Sequence, residues 1–169
     1  DAPTATNLSA AETYTEDTAL NLTDIVVSDV DSANVTVTLT LSNTAAGTLN
    51  TATSNAVTST YVPGTGVWTA TGLLADVNTL LAGVTFTPAL NFNSNFTIAT
   101  SVSDGMAAAV IGSKAMTGIP VNDPPTQTAN AGVTLNEGAT ATIATANLQY
   151  QDIEQAAGSL TYTLDLAPS

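Results

Sequence analysis

The stretch Val35-Thr36-Val37-Thr38-Leu39-Thr40-Leu41 alternates an apolar residue with a threonine over its whole length. Successive side chains of an extended strand point to opposite faces, so this pattern puts the apolar residues on one side and the threonines on the other. It reads as a half-buried strand. Phe96-Thr97-Ile98-Ala99-Thr100-Ser101-Val102 alternates too, and Val84-Thr85-Phe86-Thr87 and Val67-Trp68-Thr69-Ala70 supply two more strands. Between the last two, Leu73, Leu74, Val77, Leu80, Leu81 and Val84 recur at helical spacing and Gly83 is placed to stop the turn. That spacing predicts one short helix over 74–82. The whole predicts an all-β sandwich interrupted by a single helix.

Part of the chain occurs twice. Asp1-Ala2-Pro3-Thr4-Ala5-Thr6 returns as Asp123-Pro124-Pro125-Thr126-Gln127-Thr128. Glu16 then corresponds to Glu137, Asp29-Val30-Asp31 to Asp152-Ile153-Glu154, and Val35 to Leu41 to the stretch from Leu160 to Leu166. The same features in the same order predict a repeat, 1–122, followed by a linker and the N-terminal part of a second, incomplete repeat, 123–169. A few strands cannot bury a two-sheet core. The second copy therefore reads as cut short, or as completed by another chain through strand addition. The opening at Asp1-Ala2-Pro3 has neither a basic start nor an apolar stretch, so the chain reads as a piece of something longer.

Charge narrows the function. Fourteen acidic residues face one base, Lys114, and no histidine, for a net charge of -13. One lysine cannot neutralise phosphates, which argues against nucleic acid, and anionic membrane surfaces would repel the chain. No apolar run approaches the ~18 residues a membrane helix needs. Self-repulsion of this size destabilises a compact state, and bound cations would relieve it. Cysteine is absent, which excludes disulfides and thiolate metal sites and leans towards a bacterial surface protein.

Leu80-Leu81-Ala82-Gly83-Val84-Thr85-Phe86-Thr87-Pro88, Asn91-Phe92-Asn93, Ser103-Asp104-Gly105 and Val121-Asn122-Asp123-Pro124-Pro125 follow one another in this chain. Together they resemble the tandem cadherin-like, immunoglobulin-like repeats of large bacterial adhesins over nearly all of residues 1–125. Ser94 and Pro124 stand where that family usually has glycine and alanine. The second copy is similar to the related chondroitin-sulfate-proteoglycan type, through Asn136-Glu137-Gly138 and the stretch from Leu148 to Leu166. The resemblance implies a Greek-key sandwich of about seven strands, tandem arrays, secretion to the cell surface, and calcium between domains.

Calcium takes six to eight oxygen ligands, largely carboxylate and carbonyl. In an extended segment Asp29 and Asp31 point the same way, ~6.6 Å apart. Unpaired, they repel by roughly 0.6 kcal/mol in water and about 2.5 kcal/mol in a half-buried site; a divalent cation reverses the sign. Alternate loops of an antiparallel sandwich lie at the same end, and the resemblance puts Ser103-Asp104-Gly105 in the last hairpin. Asp1, Asp29, Asp31 and Asp104 are then expected at one end, shared with a preceding repeat. Glu16, Asn122 through its carbonyl, Asp123, Asp152 and Glu154 are expected at the other, across the linker. The plain rival reading is solubilising surface charge for the whole set. Asp17 is open between ligand and turn, Asp76 is expected to cap the helix, and Asp24 and Asp165 are expected at the surface.

Trp68, Tyr61 and Phe92 read as core aromatics, with a sugar-stacking platform as the alternative. Asn7, Asn21, Asn34 and Asn95 open Asn-x-Ser/Thr sequons, which matter only where a glycosylation apparatus meets them. A catalytic role finds neither histidine nor cysteine, and Lys114 is expected in solvent, with an isopeptide crosslink as its rarer use. The expectation is a calcium-stiffened spacer of an extracellular adhesin, not an enzyme, with neighbouring repeats of the same chain as its partners. The alternatives are a module that binds glycans or host cell-surface proteins, and an accessory domain of a secreted polysaccharide-active enzyme. An exposed Trp68 or Tyr61 would favour the binding module.

Overall fold

Threonine and β-branched residues fill a computed structural model in which residues 1–163 are described. In chain order the strands are β1 (Thr4–Ala5), β2 (Glu12–Thr15), β3 (Leu20–Asn21), β4 (Val27–Ser28), β5 (Asn34–Leu41) and β6 (Gly47–Leu49). There follow β7 (Thr53–Ser54), β8 (Val57–Thr58), β9 (Thr60–Val62), β10 (Val67–Leu73), the helix α1 (Leu74–Leu81) and β11 (Thr85–Pro88). The remaining strands are β12 (Phe96–Ser103), β13 (Val110–Ile119), β14 (Thr126–Asn130) and β15 (Leu148–Gln151). All four strands and the helix read from the sequence are present within one to three residues. Among the described residues, no helix is long and apolar enough to cross a membrane.

The chain forms two compact units, Asp1–Val121 and the part from Asn122 onward. The first is an all-β sandwich. One sheet runs β2-β13-β12-β5-β10-β9 and the other β3-β11-β6, more strands than the seven expected, because short pieces such as β9 add to the edges. The alternation decides the layering. Val35, Val37, Leu39 and Leu41 of β5 are buried, while the threonines between them are half-exposed. Neighbours are antiparallel except β2, which lies parallel to β13. At the centre the ring of Tyr14 meets Phe86 edge-on at 5.3 Å, and Phe86 meets Phe96 at 5.1 Å, arrangements that add to the energy of burial. Trp68 is 1% exposed and donates its indole N–H to Asn50 O at 2.9 Å. Tyr61 and Phe92 are partly buried against the same core. These aromatics are core residues, and none offers an open stacking platform.

Two local readings, of Asp76 and Lys114, are corrected, and the open one, of Asp17, is resolved. Asp76 does not cap α1. The helix grows directly out of β10, with Leu74 N bonded to Ala33 O at 2.9 Å, and Leu73 in the cap position offers no side-chain bond. Asp76 lies buried in the first turn, where Oδ1 accepts from Ser54 Oγ (3.1 Å) and Asn55 Nδ2 (2.5 Å). Asp17 holds a turn: its φ is +58° and its Oδ1 accepts from Asn91 N at 2.9 Å. Lys114 is not in solvent. It falls on the inward face of β13, fully buried, with Nζ 2.8 Å from Glu12 Oε1 and 3.0 Å from Thr23 O. Glu12 in turn accepts from Thr23 N (2.9 Å) and Thr23 Oγ1 (3.1 Å). The only base of the chain thus joins β13, β2 and the Thr23 loop in one closed network.

The second unit pairs β14 with β15 in a register already present in the first. Thr126 faces Gln151 and Gln127 faces Tyr150; Thr4 faces Ser28 and Ala5 faces Val27. The repeat seen in the sequence is therefore also a repeat of pairing. Of the strand expected from Leu160 to Leu166, residues 160–163 carry no strand, and Leu164, Asp165 and Leu166 lie outside the described residues.

Removing one partner of a buried ion pair strands the other charge. Lys114→Met is expected to destabilise the first unit by about 3–5 kcal/mol. Lys114→Met with Glu12→Met together should recover most of that loss. Urea unfolding of the two variants measures both effects.

Candidate metal centre

The segment after β4 cannot continue as a strand, because Asp29 turns it. Asp29 Oδ1 accepts from the backbone N–H of Asp31 at 3.0 Å and of Ser32 at 2.7 Å, the local bond by which aspartate competes with regular structure. The hairpin between β12 and β13 is made the same way. Asp104 Oδ1 accepts from Met106 N and Ala107 N, each at 3.0 Å, and Gly105 takes the positive φ of +78° that the turn requires. Each aspartate thus spends one oxygen on its own loop and keeps the other for something else.

Strand β5 pairs with β12, Ser103 opposite Thr36, and this brings the two loops to one end of the sandwich. One carboxylate oxygen each of Asp29, Asp31 and Asp104 then lies within 4.8 Å of the others. Ser32 Oγ bridges towards Asp104 Oδ2 at 3.5 Å. Asp29 Oδ2 is buried and has no hydrogen-bond partner among the described residues. A carboxylate oxygen withdrawn from water without a donor costs free energy that a cation would return. Three carboxylate oxygens this close repel one another unless a cation lies between them.

The donors are all hard oxygens, which suits a divalent cation such as calcium and not a soft metal. Three carboxylates do not fill six to eight positions, so carbonyls or waters would complete the shell. Beside Asp104 a shallow crevice of about 190 Å³ is lined by Asn34, Thr36, Thr71 and Ser103. Sequence reasoning missed these residues and Ser32. The hydroxyl of Thr36 read only as the outward face of a strand, and Thr71 lay just past the expected end of another; their cross-strand pairing, with the oxygens 3.0 Å apart, needs the register.

The other expected ligands fall as follows. Asp1 is not among the three carboxylates that meet; its backbone nitrogen lies against Asp31. Glu16 is fully buried in the first unit, with Oε2 accepting from Asn93 Nδ2 at 2.9 Å and Oε1 from Val121 N. There it ties the chain after β13 to the loop before β12. Asn122, Asp123, Asp152 and Glu154 belong to the second unit. Asp152 Oδ1 accepts from Glu154 N (3.0 Å) and Gln155 N (2.9 Å), and its Oδ2 is buried with no hydrogen-bond partner among the described residues. This is the Asp29 turn over again. Glu154 Oε2 accepts from Asp123 N at 3.0 Å, and Asn122 Oδ1 from Gln155 Nε2 at 2.8 Å.

No protein-family model matches the chain, and no curated protein matches it.

Backbone donors favour the ionised form of both loop aspartates. Asp29 is held below the ordinary 3.8 by the N–H groups of Asp31 and Ser32, against burial and the Asp104 charge. Asp104 is held below it by those of Ala107 and Met106. A carboxyl whose folded value is depressed stabilises the fold above its unfolded value, and that contribution is lost as pH falls through the folded value. In calcium-free buffer the first unit should keep this contribution down to about pH 3.8 and lose it below. Urea midpoints across that range should therefore fall less in Asp29→Asn than in the parent chain.

Proposed function

We propose that the first unit is a calcium-binding structural repeat of an extracellular bacterial adhesin, acting as a stiffened spacer in a tandem array and carrying no catalytic site. The observation that carries the reading is the meeting of Asp29, Asp31 and Asp104 at one end of the sandwich, with a buried Asp29 oxygen that has no hydrogen-bond partner among the described residues. The recurrence of the β1–β4 register and of the Asp29 turn in the second unit supports a tandem design. The resemblance to adhesin repeats supplies the setting at the cell surface. Calcium bound at the end of a repeat would join loops that otherwise repel, and an array so joined resists bending. Without the ion, like charges at each end push those loops apart.

A second reading, a module that binds a glycan or a protein, is favoured by one feature. The hydroxyl-lined crevice beside Asp104 would place sugar or peptide oxygens next to the ion.

Thermal unfolding in calcium, in magnesium and in a chelator separates bound ion from surface charge. A ligand at a hundredfold excess over its Kd stabilises by about 2.7 kcal/mol. For a unit of this size that is a rise in Tm on the order of 10 °C. Calcium should produce it, magnesium should produce little, and Asp29→Asn or Asp104→Asn should abolish it, starting from a chelated Tm somewhat below the parent's. Coincident curves in all three buffers would remove the ion from the first unit and with it the stiffening mechanism.

A further inference from the structure

The six-stranded sheet of the first unit turns one face to the core and the other outward, and the registers set the outward face in rows. Thr60 of β9, Thr69 of β10, Thr38 of β5, Ser101 of β12 and Ile111 of β13 form one row across five strands. Thr71, Thr36 and Ser103 form the next. Strand β2 adds Thr13 and Thr15, the latter opposite Ile119. Every residue on this face is exposed or half-exposed. None of them is charged, in a chain of net charge -13. Glu12 and Lys114 of the same sheet point inward and are buried, and Asp29, Asp31 and Asp104 lie at its end.

A face left in solvent ordinarily mixes charges of both signs, whereas depletion of charge marks the centre of an interface. The arrangement within the face is that of an interface as well. Hydroxyls and small side chains fill its middle, on β5 and β12. Aliphatic side chains stand at its flanks, Val62 and Leu73 on one side and Ile111 and Ile119 on the other; Ile111 is 75% exposed and Leu73 52%. A two-fold contact requires a patch complementary to itself. Turned about an axis along or across its strands, this face sets flank on flank and middle on middle. Its extent matches what a complex needs. Strands β5 and β12 each run 8 residues. At ~3.4 Å per residue and ~4.8 Å between strands the face covers roughly 700 Å², close to the ~800 Å² that each partner gives to a standard complex.

We propose that this face is a self-association surface, on which a second copy of the chain packs sheet to sheet. Charge selects that occupant. Two chains of net charge -13 repel wherever their acidic loops meet, and this face lets them touch without setting carboxylate against carboxylate. A face without charge offers a strongly basic or acidic partner nothing to pair with. Shape selects the same occupant. Two sheets of one twist pack face to face at an angle of about 30°, whereas a flat crystalline surface does not follow a twisted sheet. Such pairing requires no bound ion, and between arrays it would hold neighbouring rods side by side.

Sedimentation equilibrium of the 169-residue chain in a chelator is the test. Repulsion between the copies reaches ~30 Å at about 0.01 M salt and ~3 Å at about 1 M, so the dimer should tighten at least about tenfold over that range. Thr38→Glu or Ser101→Glu sets like charges in the middle of the contact and should weaken the dimer by about tenfold or more. Thr87→Glu makes the same change of charge on the outward side of β11 in the other sheet and should leave the dimer unchanged. A chain that stays monomeric up to about 1 mM at high salt overturns the proposal. So does a dimer that both sheet-face glutamates leave intact, or one that Thr87→Glu weakens as much. A monomer that microcrystalline cellulose retains, and that Thr38→Glu releases, assigns the face to a neutral polysaccharide and overturns the occupant named here.

Discussion

Carboxylates in this chain cannot be balanced by basic side chains, since fourteen acids face a single lysine. Backbone N–H groups do the balancing instead. Asp29, Asp104 and Asp152 each accept two of them, and Asp17, Glu12, Glu16 and Glu154 accept at least one. Free N–H groups occur where the chain leaves a strand, so this constraint drives most acids into turns. It leaves the sheet faces to threonine, serine and aliphatic residues. A hydrogen bond to a charged acceptor is stronger than a neutral one, so these bonds firm the turns that hold them. At Asp29 and Asp152 the second carboxylate oxygen, buried and without a hydrogen-bond partner among the described residues, remains available for a cation.

The sandwich builds on that division. Uncharged strands can be layered without burying ions, and their alternation makes one face of each sheet a core. The exception is the Lys114–Glu12 pair, which is closed by Thr23 and so costs no orphaned charge. A buried pair of this kind specifies an arrangement more than it stabilises one. Here it fixes β2 beside β13, the parallel junction between the start and the end of the first unit.

The second unit repeats the turn and the pairing but not the burial. Asp152 folds its turn as Asp29 does because the turn depends on bonds to the next three residues. Leu135 and Ile143 stay exposed because burial depends on strands far away in sequence. Local structure therefore forms in both units, while among the described residues the core cluster lies in the first.

Alternation at Val35 to Leu41 and Phe96 to Val102, the helical spacing around Val77 and the doubled acidic motif were readable without coordinates. Each depends on neighbours within a few residues, and the period of a strand or helix is written in that range. Loop alternation, with the resemblance, likewise put Asp29, Asp31 and Asp104 at one end of the sandwich as candidate ligands. Only the tertiary structure decided that Asp29 and Asp104 meet, because their distance is set by the β5–β12 register. It also decided that Lys114 and Glu16 are buried and that Asp76 holds a neighbouring loop rather than a helix end. A charged residue in isolation is best solvated, and what overrides that preference is a set of partners distant in sequence, which no local pattern records.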